Sequence, residues 1–329
     1  MRVPERERGA ALLAVLLLVS VIGAVSATVL GKMRLQTALA LNSQAAAQAR
    51  AFALGLESIV TLTIDDLTAG NRNRTTLAGG WNGATRRYPL PAGRGLAQVR
   101  VRDGGNCFNI NSVAQGDAVL GLTARPQGIE QFAALMQVLG VPQGDAARVA
   151  AGAADWVDGD SEPVWNGAED QAYAAGPAPY RTGNTLFAEV SELRTVAGVT
   201  PELYARLRPY LCALPVAQMS PINVNTLLPD QAPLIAMLDP QRIGVDRARR
   251  IIVERPMAGW ESDSAFWNQP ALKDSPPPGE VQSQPEVRTV WFAVEMEVAI
   301  EDAELVETAL VDARVQPARI AMRRWGADD

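Results

Sequence analysis

With 329 residues the chain has room for about two domains. Its 36 acidic residues outnumber 30 lysines and arginines, for a net charge of −6, and it has no histidine. The missing imidazole excludes Ser-His-Asp and Cys-His catalysis and histidine-ligated zinc. The acidic balance argues against a nucleic-acid partner, and two cysteines are too few for a thiolate-only zinc site or an iron–sulfur cluster.

The stretch Ala10–Leu30 is uncharged over 21 residues. As a helix it spans about 30 Å, the thickness of the bilayer's hydrocarbon core. Before it stands a charged leader, Met1–Gly9, with Arg2, Arg6 and Arg8 against Glu5 and Glu7. The junction Arg8-Gly9-Ala10 resembles the type IV pilin and pseudopilin signal. There a prepilin peptidase cuts after the glycine and the apolar helix is retained as an anchor. A plain signal anchor is the competing reading. Beyond the apolar run, Leu35, Leu39, Asn42, Ala46, Ala49, Ala53, Leu56, Val60, Thr63 and Leu67 follow a 3.5-residue repeat, so one helix is expected from Ala10 to Leu67. Its alanine-rich seam admits a close partner: a filament spine, or a coiled-coil stalk.

Asn71–Gly95 reads as loop. The alternation in Ala97–Asp103 and Cys107–Asn111, joined by Gly104-Gly105-Asn106, predicts a hairpin. Helical sequence then runs to about Pro270, a linker is expected at Pro276–Pro278, and Thr289–Ile300 and Leu305–Val315 read as strands around a turn at Glu301–Glu304, with a third strand after Pro317. This order suggests one sheet interrupted by a helical insert. Within the insert Asn109-Ile110-Asn111-Ser112 resembles Asn223-Val224-Asn225-Thr226. Leu139-Gly140-Val141, Ala197-Gly198-Val199 and Ile243-Gly244-Val245 look like the turns of helix-hairpin-helix units. Only Gly244 has a basic neighbourhood, so a protein-binding or structural use fits better than DNA binding.

Six carboxylates crowd the segment 155–170: Asp155, Asp158, Asp160, Glu162, Glu169 and Asp170, with no basic residue among them. A hard cation with oxygen ligands, calcium above all, would neutralise them. Counted from Asp158, the acidic and amide residues echo an EF-hand loop, but Pro163 stands where that loop requires glycine. A solvated acidic loop is one alternative. Another is a membrane-anchored periplasmic hydrolase using Asp158 and Asp160 as an acid–base pair. In an oxidising compartment Cys107 and Cys212 can form a single intrachain disulfide, tying the sheet to the insert; two unrelated buried thiols are the alternative.

Across its length the chain resembles the minor pseudopilin K family of bacterial type II secretion. The residues carrying this are Arg8–Leu13, Phe108–Ser112, Asp155-Trp156-Val157-Asp158, Gly167–Asp170 with Tyr173, Val190–Arg194 and Ile222–Thr226. The resemblance implies an α+β pseudopilin fold, a long N-terminal transmembrane helix plus an antiparallel sheet, interrupted by a large calcium-binding helical domain. The divisions would be a leader at 1–9, the spine helix at 10–67, the sheet domain at 68–111 and 286–329, and the insert at 112–285. It also implies cleavage between Gly9 and Ala10, methylation of the new N-terminus, and single-pass anchoring in the inner membrane with the rest periplasmic. The partners implied are the minor pseudopilins I and J, other pseudopilins, the inner-membrane secretion platform and the prepilin peptidase. The role would be structural and non-enzymatic, at the tip of the pseudopilus. Ala14 stands at the fifth position after cleavage, where most pilins carry a glutamate that pairs with the preceding subunit. A tip subunit has no such neighbour.

Overall fold

No proline occurs between Glu5 and Gly70, and these residues form one continuous 66-residue helix, α1, about 100 Å long. The computed structural model describes all residues except 1–4, 71–72, 92–94, 118, 120, 176–177, 273–278, 302 and 327–329. The first part of the leader, the expected linker at Pro276–Pro278 and Asp302 of the expected turn therefore lie outside the described residues. From Leu12 to Leu30 α1 is exposed, and among the described residues it is the one helix long and apolar enough to cross a membrane.

The C-terminal half of α1 lies on a five-stranded antiparallel sheet, β1 (Thr85–Pro89), β2 (Gly95–Asp103), β3 (Trp291–Ile300), β4 (Ala303–Asp312) and β5 (Arg319–Trp325), in that spatial order. Its buried stripe is Ala45, Ala49, Ala53, Leu56, Val60 and Ile64. The expected seam thus holds at Ala49, Ala53, Leu56 and Val60, and again at the partly buried Leu67. Leu35, Leu39 and Ala46 are exposed, and Ile64 replaces Thr63, because a straight helix on a sheet follows a 3.6-residue period and not the coiled-coil repeat. Alternate residues of β3, Phe292, Val294, Met296, Val298 and Ile300, meet this stripe together with Ala97 and Val99 of β2. The alanines let helix and sheet approach closely.

Two local expectations fail. Within the segment read as loop, β1 pairs with β2; its arginines and proline hide the strand signal but suit an exposed sheet edge. The hairpin expected at Gly104–Asn106 does not form. Instead β2 pairs with β3, far along the chain, while Phe108–Asn109 pairs in parallel with Leu211–Cys212 and Ile110–Val113 forms a 3₁₀ turn. Alternation reports strands but not their partners.

Between β2 and β3 a second core is built around Phe108, Ile110, Phe132, Leu135, Trp156 and Phe187, with Phe108 and Phe132 stacked at 4.8 Å. It is less helical than expected: a short hairpin, Ala114–Asp117 with Gly121–Ala124, precedes the helices α2 (Pro126–Val138), α3 (Gln143–Val157), α4 (Asp170–Ala174), α5 (Pro201–Leu207), α6 (Ala232–Ala236), α7 (Val245–Val253) and α8 (Asp263–Trp267). Gly140 turns α2 into α3 at φ +84°. Gly198, at φ +85°, joins a 3₁₀ turn (Val190–Thr195) to α5, so its unit has only one α-helix. Gly244 keeps extended backbone at the start of α7 and does not make the glycine-specific turn. Cys107 and Cys212 are disulfide-bonded with Cα atoms 5.7 Å apart, closing a 105-residue span. The neighbouring Phe108–Asn109 and Leu211–Cys212 pair sets this spacing, so the bridge sits at the base of the insert.

Where α1 meets the sheet, Glu57 and Glu307 share Arg323, which pairs at both nitrogens with Glu57 and lies 3.6 Å from the fully buried Glu307. Burial, reinforced by the neighbouring Glu57 carboxylate, pushes Glu307 up to about 8. The folded protein thus holds a proton that the unfolded chain releases above the ordinary carboxylate value. Stability should fall as pH rises from about 5 to 8, and Glu307→Gln should flatten that slope in thermal melts. Arg323→Met, which strands the Glu57 carboxylate, should cost roughly 3 kcal/mol, the low end for breaking a buried pair because Arg323 is one-third exposed.

Candidate metal centre

Asp155 and Asp158 are three residues apart at the C-terminal end of α3, a spacing that places both on one helix face. The chain then loops out and returns at Glu169, which caps the short helix α4. One oxygen from each of Asp155, Asp158 and Glu169 lies within 4.8 Å of the others, and all three residues are buried. Oxygens bound to one calcium at about 2.4 Å can stand no further apart than about twice that distance, and these three satisfy that limit.

Each of the three carboxylates has one buried oxygen without a partner. Asp155 Oδ1 accepts from Val164 N at 2.9 Å and Glu169 Oε2 from Asp170 N at 3.3 Å, while Asp155 Oδ2, Asp158 Oδ1 and Glu169 Oε1 are buried and accept nothing. Buried polar atoms are rarely left so. Burial raises the Asp158 carboxyl to about 7, helped by Asp160, Asp155 and Glu169. It also raises Asp155 and Glu169, with repulsion from Asp160 adding to Asp155 and repulsion from Asp155, Asp160 and Asp170 adding to Glu169. Three clustered carboxylates, each with a buried oxygen lacking a partner, fit a hard divalent cation: Asp155, Asp158 and Glu169 would hold it and their charges would be neutralised. Close approach is built into the backbone as well, since a Cβ on Gly167 would stand 1.9 Å from Asp155 Oδ2.

The other three acidic residues lie outside this cluster. Asp160 is exposed and its Oδ1 accepts from Glu162 N at 2.8 Å, while Glu162 is itself exposed. Asp170 accepts from Thr182 N and Oγ1, each at 3.0 Å, and pairs with Arg181 at 3.9 Å. The EF-hand register is therefore not the geometry here: the ligand candidates come from a helix end, Asp155 included, and not from alternate loop positions. The acid–base pair of Asp158 and Asp160 gains no support from the geometry: Asp158 is buried with Asp155 and Glu169, while Asp160 is exposed and bonded within its own loop. What the sequence reading missed was the support: Gly167, preceded by Asn166 at φ +69°, and the aromatic wall of Trp156, Tyr173 and Tyr180. The Asn166-Gly167 dipeptide, a turn signal, was the available clue.

If the three carboxylates repel one another without a cation and bind one together, Asp158→Asn should have opposite effects in two buffers. With chelator present it should raise the melting temperature; with excess calcium it should lower it relative to wild type.

Models of "Type II secretion system (T2SS), protein K" match residues 106–216 and 222–288. The chain is 34% identical to the type II secretion system protein K of Pectobacterium carotovorum subsp. carotovorum, over 98% of this chain and 97% of that protein. It is also 34% identical to the Klebsiella pneumoniae protein of the same name, with the same coverage. Among solved structures, it superposes on a chain of the GspK-GspI-GspJ complex from the enterotoxigenic Escherichia coli type 2 secretion system. The TM-score is 0.71 and the identity 30%, covering 85% of this chain and 96% of that one.

Proposed function

From a chain that belongs to the type II secretion protein K family, a non-enzymatic pseudopilin component, we infer a minor pseudopilin that caps the tip of the pseudopilus and primes its assembly for export of folded proteins across the outer membrane. The observation carrying this is the division of α1: an exposed apolar half of membrane length continues into a half packed on the sheet, and the bulk of the insert hangs from the sheet's centre. The first half suits anchoring in the inner membrane. The exposed stretch that follows is free to pack on the helices of neighbouring pseudopilins. The insert would obstruct a subunit added above, which favours the terminal position. Ala14, lacking the carboxylate that would pair with a preceding subunit, supports the same place.

The partners are then the minor pseudopilins I and J, in keeping with the GspK-GspI-GspJ complex in which the similar chain was solved, with other pseudopilins below and the inner-membrane platform at the base. The prepilin peptidase would cut between Gly9 and Ala10, with methylation of the new N-terminus following. Calcium would sit at Asp155, Asp158 and Glu169 as a structural ion.

The reading is tested by co-expressing the full chain with the I and J pseudopilins of its own system and extracting in detergent. A stable ternary complex is expected; purification of the chain free of both partners would overturn the tip assignment. Separately, Gly9→Val should leave the leader attached, visible as an intact-mass increase of the nine-residue leader over the processed wild type, and identical masses would remove the cleavage site.

A further inference from the structure

The two Asn-rich motifs make the same bonds. In the first, Asn111 N donates to Asn109 Oδ1, and the Asn111 amide brackets Phe187, donating to its O at 3.0 Å and accepting from its N at 2.7 Å. In the second, Asn225 N donates to Asn223 Oδ1, and the Asn225 amide brackets Trp260 in the same way at 2.9 and 2.7 Å. Each motif opens with a two-residue strand that is later paired in parallel, Asn109 beside Cys212 and Asn223 beside Glu286. Between motif and aromatic residue each has a helix pair turned near a Gly-Val step, α2 and α3 at Gly140, α6 and α7 at Gly244. These are two copies of one folding unit.

They differ most in one place. After α7 only six residues, 254–259, lead from Val253 to Trp260; after α3, 29 residues, 158–186, lead from Val157 to Phe187. The longer connection contains Asp158 and Glu169 and all the exposed acidic residues of the candidate centre. We propose that residues 158–186 are an insertion into the first unit, and that a divalent cation fixes this inserted loop against α3 while the unit carrying it folds without the ion. The second half of the proposal rests on the cation reading above. The second unit supplies the reason: the Asn–aromatic bracket and the helix pair form there across a six-residue connection with no acidic cluster. In the first unit the described part of the loop meets the rest through the carboxylates and the buried Tyr173, with Tyr180 also on Trp156 and Val164, Ala168 and Leu186 against the core. Hydrogen bonds from Gly159 N to Leu122 O, Asn184 N to Trp156 O, Tyr180 Oη to Thr195 O and Ala197 N to the Tyr173 hydroxyl add to these. Without the ion, the buried carboxylates at the end of α3 and in the loop are left unpaired where the two meet, so this junction is the part that opens first.

The experiment uses the full chain in detergent, with two readouts. In hydrogen exchange of the wild type, adding EGTA to calcium-loaded protein should speed exchange about tenfold or more at 159–175 and 178–186, leaving α2, α5 and α7 protected. Loss of protection throughout α2 and α5 would overturn the proposal. In a second variant residues 158–186 are exchanged for the six residues 254–259; it should melt cooperatively at a temperature indifferent to EGTA. A variant that fails to fold would refute the insertion. If elemental analysis finds no metal in calcium-dialysed wild type, the cation reading fails by itself, while the exchange variant still decides whether the loop is an insertion.

Discussion

A sheet whose two central neighbours, β2 and β3, lie at opposite ends of a long excursion holds its register only if the exit and the return of the chain are fixed to each other. Asp103, the last residue of β2, does this. Its Oδ2 accepts from the hydroxyls of Thr289, just before β3, and Thr226, in the second Asn motif. Its Oδ1 accepts from Gly105 N and Asn106 N, at 2.9 and 3.2 Å. Gly104 N donates to Trp291 O at 2.8 Å, where a side chain on Gly104 would run into the backbone of β3. Lengthening a closed loop costs little additional entropy, so an insert of this size is tolerated once its neck is tied. The tie is costly in itself: burial lifts the Asp103 carboxyl to about 6 even against four donors.

The same node explains why the insert is not an appended bead. Asn106 donates to Thr226 Oγ1 and Asn223 O, and Asn223 reaches Thr75 and Thr289, so the neck of the first unit, the opening of the second and the segment after α1 share one buried network. Apart from Asn106 Oδ1, which accepts nothing, the polar groups of this network bond one another, and such linked buried groups favour one arrangement. The disulfide closes the first unit beside this network. Spine, sheet and insert are therefore held in one orientation.

Much of this was legible in the residues, and the limits have physical causes. The apolar stretch of membrane-spanning length, the long helix, the C-terminal strands and the interruption followed from hydropathy and period, because these are properties of neighbours in sequence. The partner of β2 was not, since nothing local distinguishes pairing across a tight turn from pairing across an insert. β1 was hidden because an exposed edge strand is selected for arginine and proline, the residues that read as loop. At the candidate centre the excess of carboxylates was plain, but which of them converge was not. Asp155 and Glu169 are brought to Asp158 by the end of a helix and a return loop, whereas Asp160 and Glu162, both nearer to Asp158 in sequence than Glu169 is, are turned to solvent by a local Asx turn.

Charge makes the final connection. The six carboxylates of 155–170 account numerically for the whole net charge of −6, so the remainder of the chain is balanced. Of these six, the three buried ones carry the electrostatic strain, because repulsion at close range is screened poorly once water is excluded. Asp160, though exposed, adds to that repulsion, while Asp170 is half-buried and accepts from Thr182. A cation at the buried triad therefore removes a local repulsion and leaves the outer surface of the loop acidic. This arrangement belongs to a structural device, not a catalytic one: a catalytic carboxylate must meet a substrate, whereas Asp155, Asp158 and Glu169 face one another, closed over by Gly167 and bounded by Trp156 and Tyr173.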